Sequence, residues 1–214
     1  ENPKFIFTVG SPTLDGIRKT KTIPKKDLEI EFEINLNDPF IIMMQHSVTT
    51  EINKIDEYFL ETLKAIKELK IPTIIISGNA DAGSKKILKI LKNSKIYNYP
   101  NLPYSKYINL LKHASVLIGN SSSGIIEAPF LHIPSVNIGT RQSGRLSSKS
   151  VINVNYDKNE IKQAILKSIH DRKYLRQIKK NKSNYGVGDA AKKIVKILEK
   201  LELNKIPIQK QLSY

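Results

Sequence analysis

The residues best suited to hold an anion form a short turn of small residues between two apolar segments. The apolar run from Ser115 to Ile118 is typical of a buried strand. The turn that follows offers hydroxyl groups and a residue without a side chain: Ser121, Ser122, Ser123 and Gly124. Apolar residues then resume, with Glu127 in the predicted first turn of a helix. Because the first N–H groups of a helix lack partners and its dipole favours negative charge, this turn is predicted to bind a phosphate group.

Each part of this stretch also has a purely structural interpretation. One serine is enough to cap a helix, although three serines followed by Gly124 exceed what a cap needs. Glu127 could simply oppose the positive end of the helix dipole. As a functional group, its carboxylate could accept hydrogen bonds from the ribose hydroxyls of a nucleotide.

Three further polar loops follow predicted strands. His46 comes just after an apolar run, where it could donate to a phosphate or act as an acid towards a leaving group, or be an ordinary surface histidine. Asn79 lies in a polar loop that could bind a ligand or only form a turn and cap a helix. Arg141 and Arg145 share one loop, and they could clamp a diphosphate or pair with surface carboxylates.

The elements that must position these loops are short apolar strands that alternate with amphipathic helical patterns. This alternation predicts an α/β fold, a doubly wound parallel sheet of the Rossmann-like type with helices on both faces. Strands are expected at residues 4–9, 40–44, 72–77, 95–98, 115–118, 134–138 and 151–154. Helices are expected from Pro12, at 26–32, from Thr49 or Thr50 to Leu69, at 85–91 and 104–113, after Gly124, and at 158–170 and 190–201. Since parallel strands end at one edge, the four polar loops are predicted to meet there.

Composition argues against several classes of protein. No run of about 18 apolar residues is present, so no membrane-spanning helix is expected. With no cysteine and no closely spaced histidine pair, no metal site is expected. The first residues contain no apolar signal-peptide core, which indicates a cytoplasmic protein or a fragment.

The net charge of +15 raises the question of nucleic acid. Nearly all the cations are lysines spread along predicted helix surfaces, whereas arginine, the better residue for forked phosphate recognition, is scarce. We therefore interpret the charge as a solvated lysine-rich surface and expect no nucleic-acid partner. A basic nucleic-acid-binding module is kept as a rival hypothesis.

Taken together, the polar loops resemble the UDP-N-acetylglucosamine 2-epimerases, and within them the hydrolysing branch that serves sialic and legionaminic acid synthesis. Five motifs carry the resemblance, in the order in which that family has them: His46–Thr50, Asn79–Lys85, Gly119–Pro129, Asn137–Arg145 and Asn184–Asp189.

The resemblance implies a glycosyltransferase-B-like fold of two domains in which the C-terminal one holds UDP. His46 matches the active-site histidine near the diphosphate. The residues implied to bind UDP are Asn79, Leu102, Ser121, Ser122, Ser123, Gly124, Glu127, Arg141 and Arg145, with the backbone near Leu102 at the edge of the base. The family's chemistry removes the proton at C2, expels UDP and adds water at C1 with inversion at C2. No cofactor is implied.

Two departures from the family pattern bear on these expectations. Ser47 stands where the hydrolysing branch usually has proline after the histidine. The resemblance also aligns residues 1–22 with the end of an inter-domain connector, 23–202 with the UDP-binding domain and 203–214 with a tail. The N-terminal catalytic domain has no counterpart here, so we expect a C-terminal fragment that binds UDP weakly and is inactive alone.

The partners expected on this basis are UDP and a UDP-N-acetylhexosamine, and the helix-rich outer faces leave room for a homodimer. The main rival enzyme is a true glycosyltransferase that uses a UDP-sugar, because such enzymes share the sheet and often place a glutamate at the ribose.

Overall fold

A computed structural model of the protein describes residues 3–77, 81–94 and 98–202. Contacts between Cα atoms divide the chain into two compact units. The larger unit is Thr20–Asn184, and the smaller one combines Glu1–Lys19 with Tyr185–Tyr214.

The larger unit is built on a parallel sheet, which confirms the predicted fold class. Its strands are β1 (Ile41–Met44), β2 (Thr73–Ile75), β3 (Val116–Gly119), β4 (Ser135–Ile138) and β5 (Val151–Val154). They lie in the order β2-β1-β3-β4-β5, and every neighbouring pair is parallel. The last residue of β1, Met44, lies opposite Gly119, the last residue of β3.

Helices separate consecutive strands of the sheet, except that β4 and β5 are joined without one. They are α1 (Pro12–Lys19), α2 (Lys25–Phe32), α3 (Ile55–Leu69), α4 (Ser84–Asn93), α5 (Tyr104–Leu111), α6 (Glu127–Phe130), α7 (Lys158–His170), α8 (Arg172–Lys180) and α9 (Ala190–Leu198). Short 3₁₀ segments occur at Pro3–Phe5, Thr49–Lys54 and Ser122–Gly124. None of the helices in the described ranges is long and apolar enough to cross a membrane.

Both faces of the sheet are covered, as the uninterrupted apolar strands predict. Ile41 and Met43 point to one face, where they belong to a buried cluster that includes Phe59 of α3 and Ile165 of α7. Ile42 points to the opposite face and is also fully buried. The inner strands β1 and β3 are therefore a buried middle layer, and the polar groups that follow them begin where these strands end.

Local sequence explains the longest helices of this unit. The apolar positions of α3 recur every three or four residues, and they are all buried: Ile55, Phe59, Leu63 and Ile66. Asp157 caps α7, because its carboxylate accepts hydrogen bonds from the backbone N–H groups of Asn159 and Glu160, each at 2.9 Å.

The smaller unit is held by contacts between distant parts of the sequence. The carboxylate of Asp15 in α1 accepts hydrogen bonds from the N–H groups of Ala190 at 3.0 Å and Ala191 at 3.2 Å, and so caps α9. Gly188 has a φ of +77°, and a Cβ there would lie 3.0 Å from the carbonyl oxygen of Leu14. This close approach explains a glycine in the Asn184–Asp189 motif.

Several predicted elements were wrong or differ in extent. The strand at 4–9 does not form: Pro3–Phe5 is a 3₁₀ turn, and Phe5, Ile6 and Phe7 are exposed. An apolar run becomes a strand only when another strand pairs with it, and that cannot be read from the run itself. Helix α8 was missed because its strongly basic sequence resembles a polar connector.

Two further predictions at helix starts need correction. Neither Thr49 nor Thr50 caps α3 with its side chain, since a 3₁₀ segment precedes that helix and its N-cap position is Lys54. The helix expected directly after Gly124 begins only at Glu127, as the four-residue α6, because a 3₁₀ turn at Ser122–Gly124 precedes it; Glu127 lies in its first turn, as predicted. The strand expected at 95–98 falls largely outside the described residues, although Tyr99 beside it forms an isolated parallel bridge with Ile76.

Candidate functional site

The polar loops leave the sheet at one edge, as the parallel arrangement predicts. Adjacent strands β1, β3 and β4 end next to one another and deliver, respectively, His46, the Asn120–Gly124 turn and the Gly139–Arg145 loop. The loop after β2 contributes Asp81, whereas Asn79 lies outside the described residues. The first, third and fourth loops therefore meet as a continuous edge.

Asn120 joins the serine turn to the loop that carries His46, and sequence reasoning did not assign it a role. Its side-chain Oδ1 accepts a hydrogen bond from the His46 N–H at 2.7 Å, and its Nδ2 donates to the His46 carbonyl at 2.8 Å. Its own N–H donates to the Met44 carbonyl at 3.1 Å. Asn120 is fully buried, so this side chain extends the β1–β3 pairing past the end of the strands.

The glycine before Asn120 makes this approach possible. Gly119 has a φ of +118°, a conformation that other residues rarely adopt. A Cβ at this position would lie 2.1 Å from the Met44 carbonyl oxygen. Any larger residue would therefore push the third loop away from His46.

The carbonyl of Asn120 connects the edge to the fourth loop. It accepts hydrogen bonds from Gln142 Nε2 at 2.7 Å and from Arg141 Nη1 at 3.4 Å. Gln142 is buried, and its Oε1 in turn accepts from Arg145 Nη1 at 2.8 Å. Gln142 is a second residue that sequence reasoning missed, because glutamine in a polar loop gives no sign that it is buried.

Arg141 also reaches the loop after β2. Its Nη2 lies 3.1 Å from Asp81 Oδ2, and both side chains are about one third exposed. Such a pair contributes little to stability because water screens it. The guanidinium therefore stands at the edge, paired but open to solvent.

His46 sits beside this arginine in a partly buried position. The pKa of its imidazole lies below the ordinary value of a histidine. Burial lowers it most, the Arg141 charge lowers it further, and the Asp81 charge partly opposes them. Its Nδ1 atom is buried and has no hydrogen-bond partner among the described residues. A neutral imidazole at this position can donate from one nitrogen and accept at the other.

The serine turn differs from the open helix end that the sequence predicts. The N–H groups of the turn are bonded within it: Ser123 to Ser121 Oγ, Gly124 to Ser121 O, and Ile125 and Ile126 to Ser122 O. The capping interpretation of Ser121 is thus confirmed, and these four N–H groups are not available to a ligand. A phosphate here would instead meet the hydroxyls of Ser121 and Ser122, both of which are half-buried.

Glu127 lies just beyond the turn and is tied to it. Burial raises the pKa of its carboxyl group, while its own backbone N–H and the Ser123 hydroxyl partly counteract that effect. Ser123 is buried and shares a short hydrogen bond with the hydroxyl of Tyr107 in α5. Glu127 Oε2 is buried with no hydrogen-bond partner among the described residues. One oxygen of the Glu127 carboxylate is thus bonded to the turn, and the other has no hydrogen-bond partner there.

The remaining predicted residue is Leu102, which is half-buried in the irregular segment before α5. Tyr104, the first residue of that helix, senses the Glu127 charge, because burial first and then Glu127 raise its pKa. The start of α5 therefore lies near Glu127.

His46 also borders a small pocket with an empty volume of about 250 Å³. The pocket lies between the end of β1, helix α3 and the segment after β5, and its polar lining includes Glu51, Tyr58 and Tyr156. In the described part of the chain, no cluster of three histidine, aspartate or glutamate side chains could hold a metal ion.

Comparison with known proteins identifies the family and supports the fold. The family model for UDP-N-acetylglucosamine 2-epimerase matches residues 1–199. A UDP-N-acetylglucosamine 2-epimerase of Neisseria meningitidis serogroup B is 36% identical over 168 residues, which cover 77% of this chain and 44% of that protein. The GDP/UDP-N,N'-diacetylbacillosamine 2-epimerase (hydrolyzing) of Campylobacter jejuni is 35% identical over 159 residues, 71% of this chain and 41% of that protein.

The fold is also shared with solved structures. The UDP-N-acetylglucosamine 2-epimerase of Methanocaldococcus jannaschii, solved in complex with UDP-GlcNAc and UDP, superposes with a TM-score of 0.68 at 19% identity, over 94% of this chain and 56% of that chain. This chain spans about half the length of the curated relatives it matches. Because the family model covers nearly the whole sequence, the chain belongs to the UDP-N-acetylglucosamine 2-epimerase family.

Proposed function

We propose that this chain is the C-terminal, UDP-binding part of a hydrolysing 2-epimerase that acts on UDP-N-acetylglucosamine or a diacetamido analogue. The observation that carries the proposal is the placement of His46, Arg141 and the serine turn around Asn120 at one edge of the sheet. A nucleoside diphosphate needs hydroxyl donors and a cation for its phosphates, and this edge offers both.

In the proposed complex the parts of UDP divide among neighbouring loops. The diphosphate meets the hydroxyls of Ser121 and Ser122 and the guanidinium of Arg141. The free Oε2 of Glu127 accepts hydrogen bonds from the ribose hydroxyls, since a carboxylate can take both. The further residues that we propose to contact or border UDP are Asn79, Leu102, Ser123, Gly124 and Arg145.

The proposed reaction has two steps. A base removes the proton at C2 of the sugar, the C1–O bond breaks, and UDP leaves with the bonding electron pair to give an unsaturated sugar. Water then adds its oxygen to C1 while a proton returns to C2 from the other side, which yields the free 2-epimer. His46, neutral at pH 7 by its lowered pKa, is placed to hydrogen-bond the diphosphate as it leaves. The groups that move the C2 proton are proposed to lie on an N-terminal domain.

The hydrolysing subtype is proposed from the names of two relatives. The Campylobacter protein carries "hydrolyzing" in its name, as does a diacetylbacillosamine 2-epimerase of Legionella pneumophila that is 29% identical over 223 residues. Ser47 departs from the proline of that branch, so an assay must decide the product. We further propose that the protein acts in sialic or legionaminic acid synthesis in the cytoplasm and can form a homodimer.

Two experiments test the proposal. Isothermal titration of the chain with UDP, ADP and a single-stranded oligonucleotide should give binding to UDP that is at least about tenfold tighter than to ADP, a difference of about 1.4 kcal/mol. Binding to the oligonucleotide alone, with a steep loss of affinity as salt is raised, would instead support the rival nucleic-acid module.

The second experiment is an activity assay. The chain joined to an N-terminal domain should release UDP and a free 2-epimeric sugar. Transfer of the sugar to an acceptor would identify a glycosyltransferase.

A further inference from the structure

A carboxylate outside the proposed UDP site joins three segments of the sheet edge. Glu51 lies in the 3₁₀ segment after β1, where its φ of −118° and ψ of 18° depart from helical values. Its Oε2 accepts a hydrogen bond from the Tyr156 hydroxyl at 2.7 Å, and its Oε1 accepts a short one from the Thr140 hydroxyl. Thr140 begins the fourth loop and Tyr156 follows β5, so one side chain ties together the ends of β1, β4 and β5.

The ring of Tyr156 is itself held by its neighbours, so its hydroxyl donor has a fixed position. Its ring stacks on that of Tyr58 in α3, with centroids 3.9 Å apart and planes at 5°. The ring also covers Gly139, where the φ is +75° and a Cβ would lie 2.0 Å from the ring. Burial, followed by the bond to Glu51, raises the pKa of Tyr156 and keeps its hydroxyl protonated.

These contacts act on the residues immediately before Arg141. Gly139 is covered by Tyr156, and Thr140 is bonded to Glu51, so the backbone that leads into Arg141 is fixed on both counts. Beyond Arg141, Gln142 is bonded to the Asn120 carbonyl at 2.7 Å. The arginine therefore stands between two anchored positions, one of which depends on Glu51.

We propose that Glu51 is a positioning residue: through Thr140 and Tyr156 it sets the loop that places the Arg141 guanidinium beside His46. The proposal rests on the proposed function for its consequence, which is tighter binding of the diphosphate. The positioning of Arg141 itself does not require a ligand, because Glu51, Tyr156 and His46 already border the same pocket in the free protein.

The sharpest test uses Thr140, because valine has the same shape as threonine but lacks the hydroxyl, and the exchange changes no charge. In Thr140→Val the loop is released from Glu51 and Arg141 moves away from His46. Since the Arg141 charge lowers the pKa of His46, NMR titration of the ligand-free protein should show this pKa rise. Thr140→Ser keeps the hydroxyl and should titrate as the wild type does.

Two other variants separate positioning from general damage. Tyr156→Phe removes the second hydrogen bond while it keeps the ring over Gly139, and it should shift the His46 titration in the same direction. Glu31→Ala removes an exposed glutamate that is bonded to Lys106 at 2.7 Å, and as a control it should leave the His46 titration and UDP affinity as they are in the wild type. Circular dichroism establishes that each variant is folded.

The outcomes distinguish this inference from the proposed function. We expect UDP affinity to fall about fivefold to tenfold in Thr140→Val, which is about 1 to 1.4 kcal/mol, with Thr140→Ser unchanged. If folded Thr140→Val and Tyr156→Phe both titrate and bind as the wild type does, Glu51 has no positioning role. If the wild type does not bind UDP but the His46 pKa still rises in Thr140→Val, the proposed function fails and the positioning of Arg141 stands.

Discussion

Asn120 and His46 are joined by two hydrogen bonds that run in opposite directions, from the His46 N–H to Asn120 Oδ1 at 2.7 Å and from Asn120 Nδ2 to the His46 carbonyl at 2.8 Å. A side-chain amide has the same donor and acceptor as a peptide group, so it can continue a sheet where the strands have ended. This pairing fixes the backbone of His46 while its ring remains free to meet a ligand.

Replacement of Asn120 should therefore damage stability and site together. In Asn120→Ala the buried N–H and carbonyl of His46 lose their partners, and we expect a loss of about 2 to 4 kcal/mol in the free energy of unfolding. Urea denaturation followed by circular dichroism measures it. Asn159→Ala, an exposed position in the first turn of α7, is the control and should change stability by less than about 0.5 kcal/mol. A loss in Asn120→Ala no larger than in the control would contradict the role of this amide.

Arg141 should show the opposite pattern, with function affected and stability retained. Its pair with Asp81 is solvent-screened, so Arg141→Ala should cost less than about 1 kcal/mol of stability. Loss of a charged donor to the diphosphate should weaken UDP binding by about tenfold or more. Isothermal titration and thermal denaturation measure the two effects, with Arg172→Ala on α8 as the matched control. Wild-type affinity in folded Arg141→Ala would remove this residue from the site.

Replacement of Glu127 should raise stability and weaken UDP binding. Burial raises the pKa of its carboxyl group, so the surroundings in the folded protein disfavour the charged form. Glu127→Gln should therefore raise the free energy of unfolding while it weakens UDP binding by about tenfold, because a neutral amide is a poorer acceptor for ribose hydroxyls. Denaturation at pH 7 and titration with UDP test both halves. A variant that is less stable and binds UDP normally would show that Glu127 serves the fold alone.

The titration of His46 should make stability depend on pH in a defined direction. Because the pKa of His46 is lowered in the folded protein, the unfolded chain takes up a proton first, at about pH 6.5. The free energy of unfolding should thus fall as the pH drops from about 7 through this value, until the folded histidine also protonates. His113, whose pKa is lowered mainly by burial, contributes in the same direction.

His46→Gln isolates the first contribution. Urea denaturation of this variant between pH 8 and pH 5 should show a smaller decline than the wild type shows. His113→Gln should flatten the curve independently, since no contact joins the two histidines among those that the structure describes. An identical decline in the wild type and in His46→Gln would mean that the imidazole is not buried as the structure has it.

The amino-acid sequence by itself determined the strands of the sheet and its longest helices, although it missed α8 and predicted a strand at 4–9 that does not form. The apolar runs at β1 and β3 specify buried strands, and the spacing in α3 and α7 specifies amphipathic helices, because period and propensity are local properties. Since parallel strands end at a common edge, the polar loops could be placed together before their contacts were known.

Tertiary structure decided which of those residues touch, because the contacts join positions far apart in the chain. The Asn120–His46 pair spans 74 residues, and the Tyr156–Glu51 bond spans 105. Both depend on the strand order β2-β1-β3-β4-β5, which sets β3 beside β1 and is not encoded in any local pattern. Burial likewise turned Gln142 from a polar loop residue into a connector to the Asn120 carbonyl. The sequence thus predicted that the polar loops share one edge of the sheet, and packing determined which of their atoms remain available to a ligand.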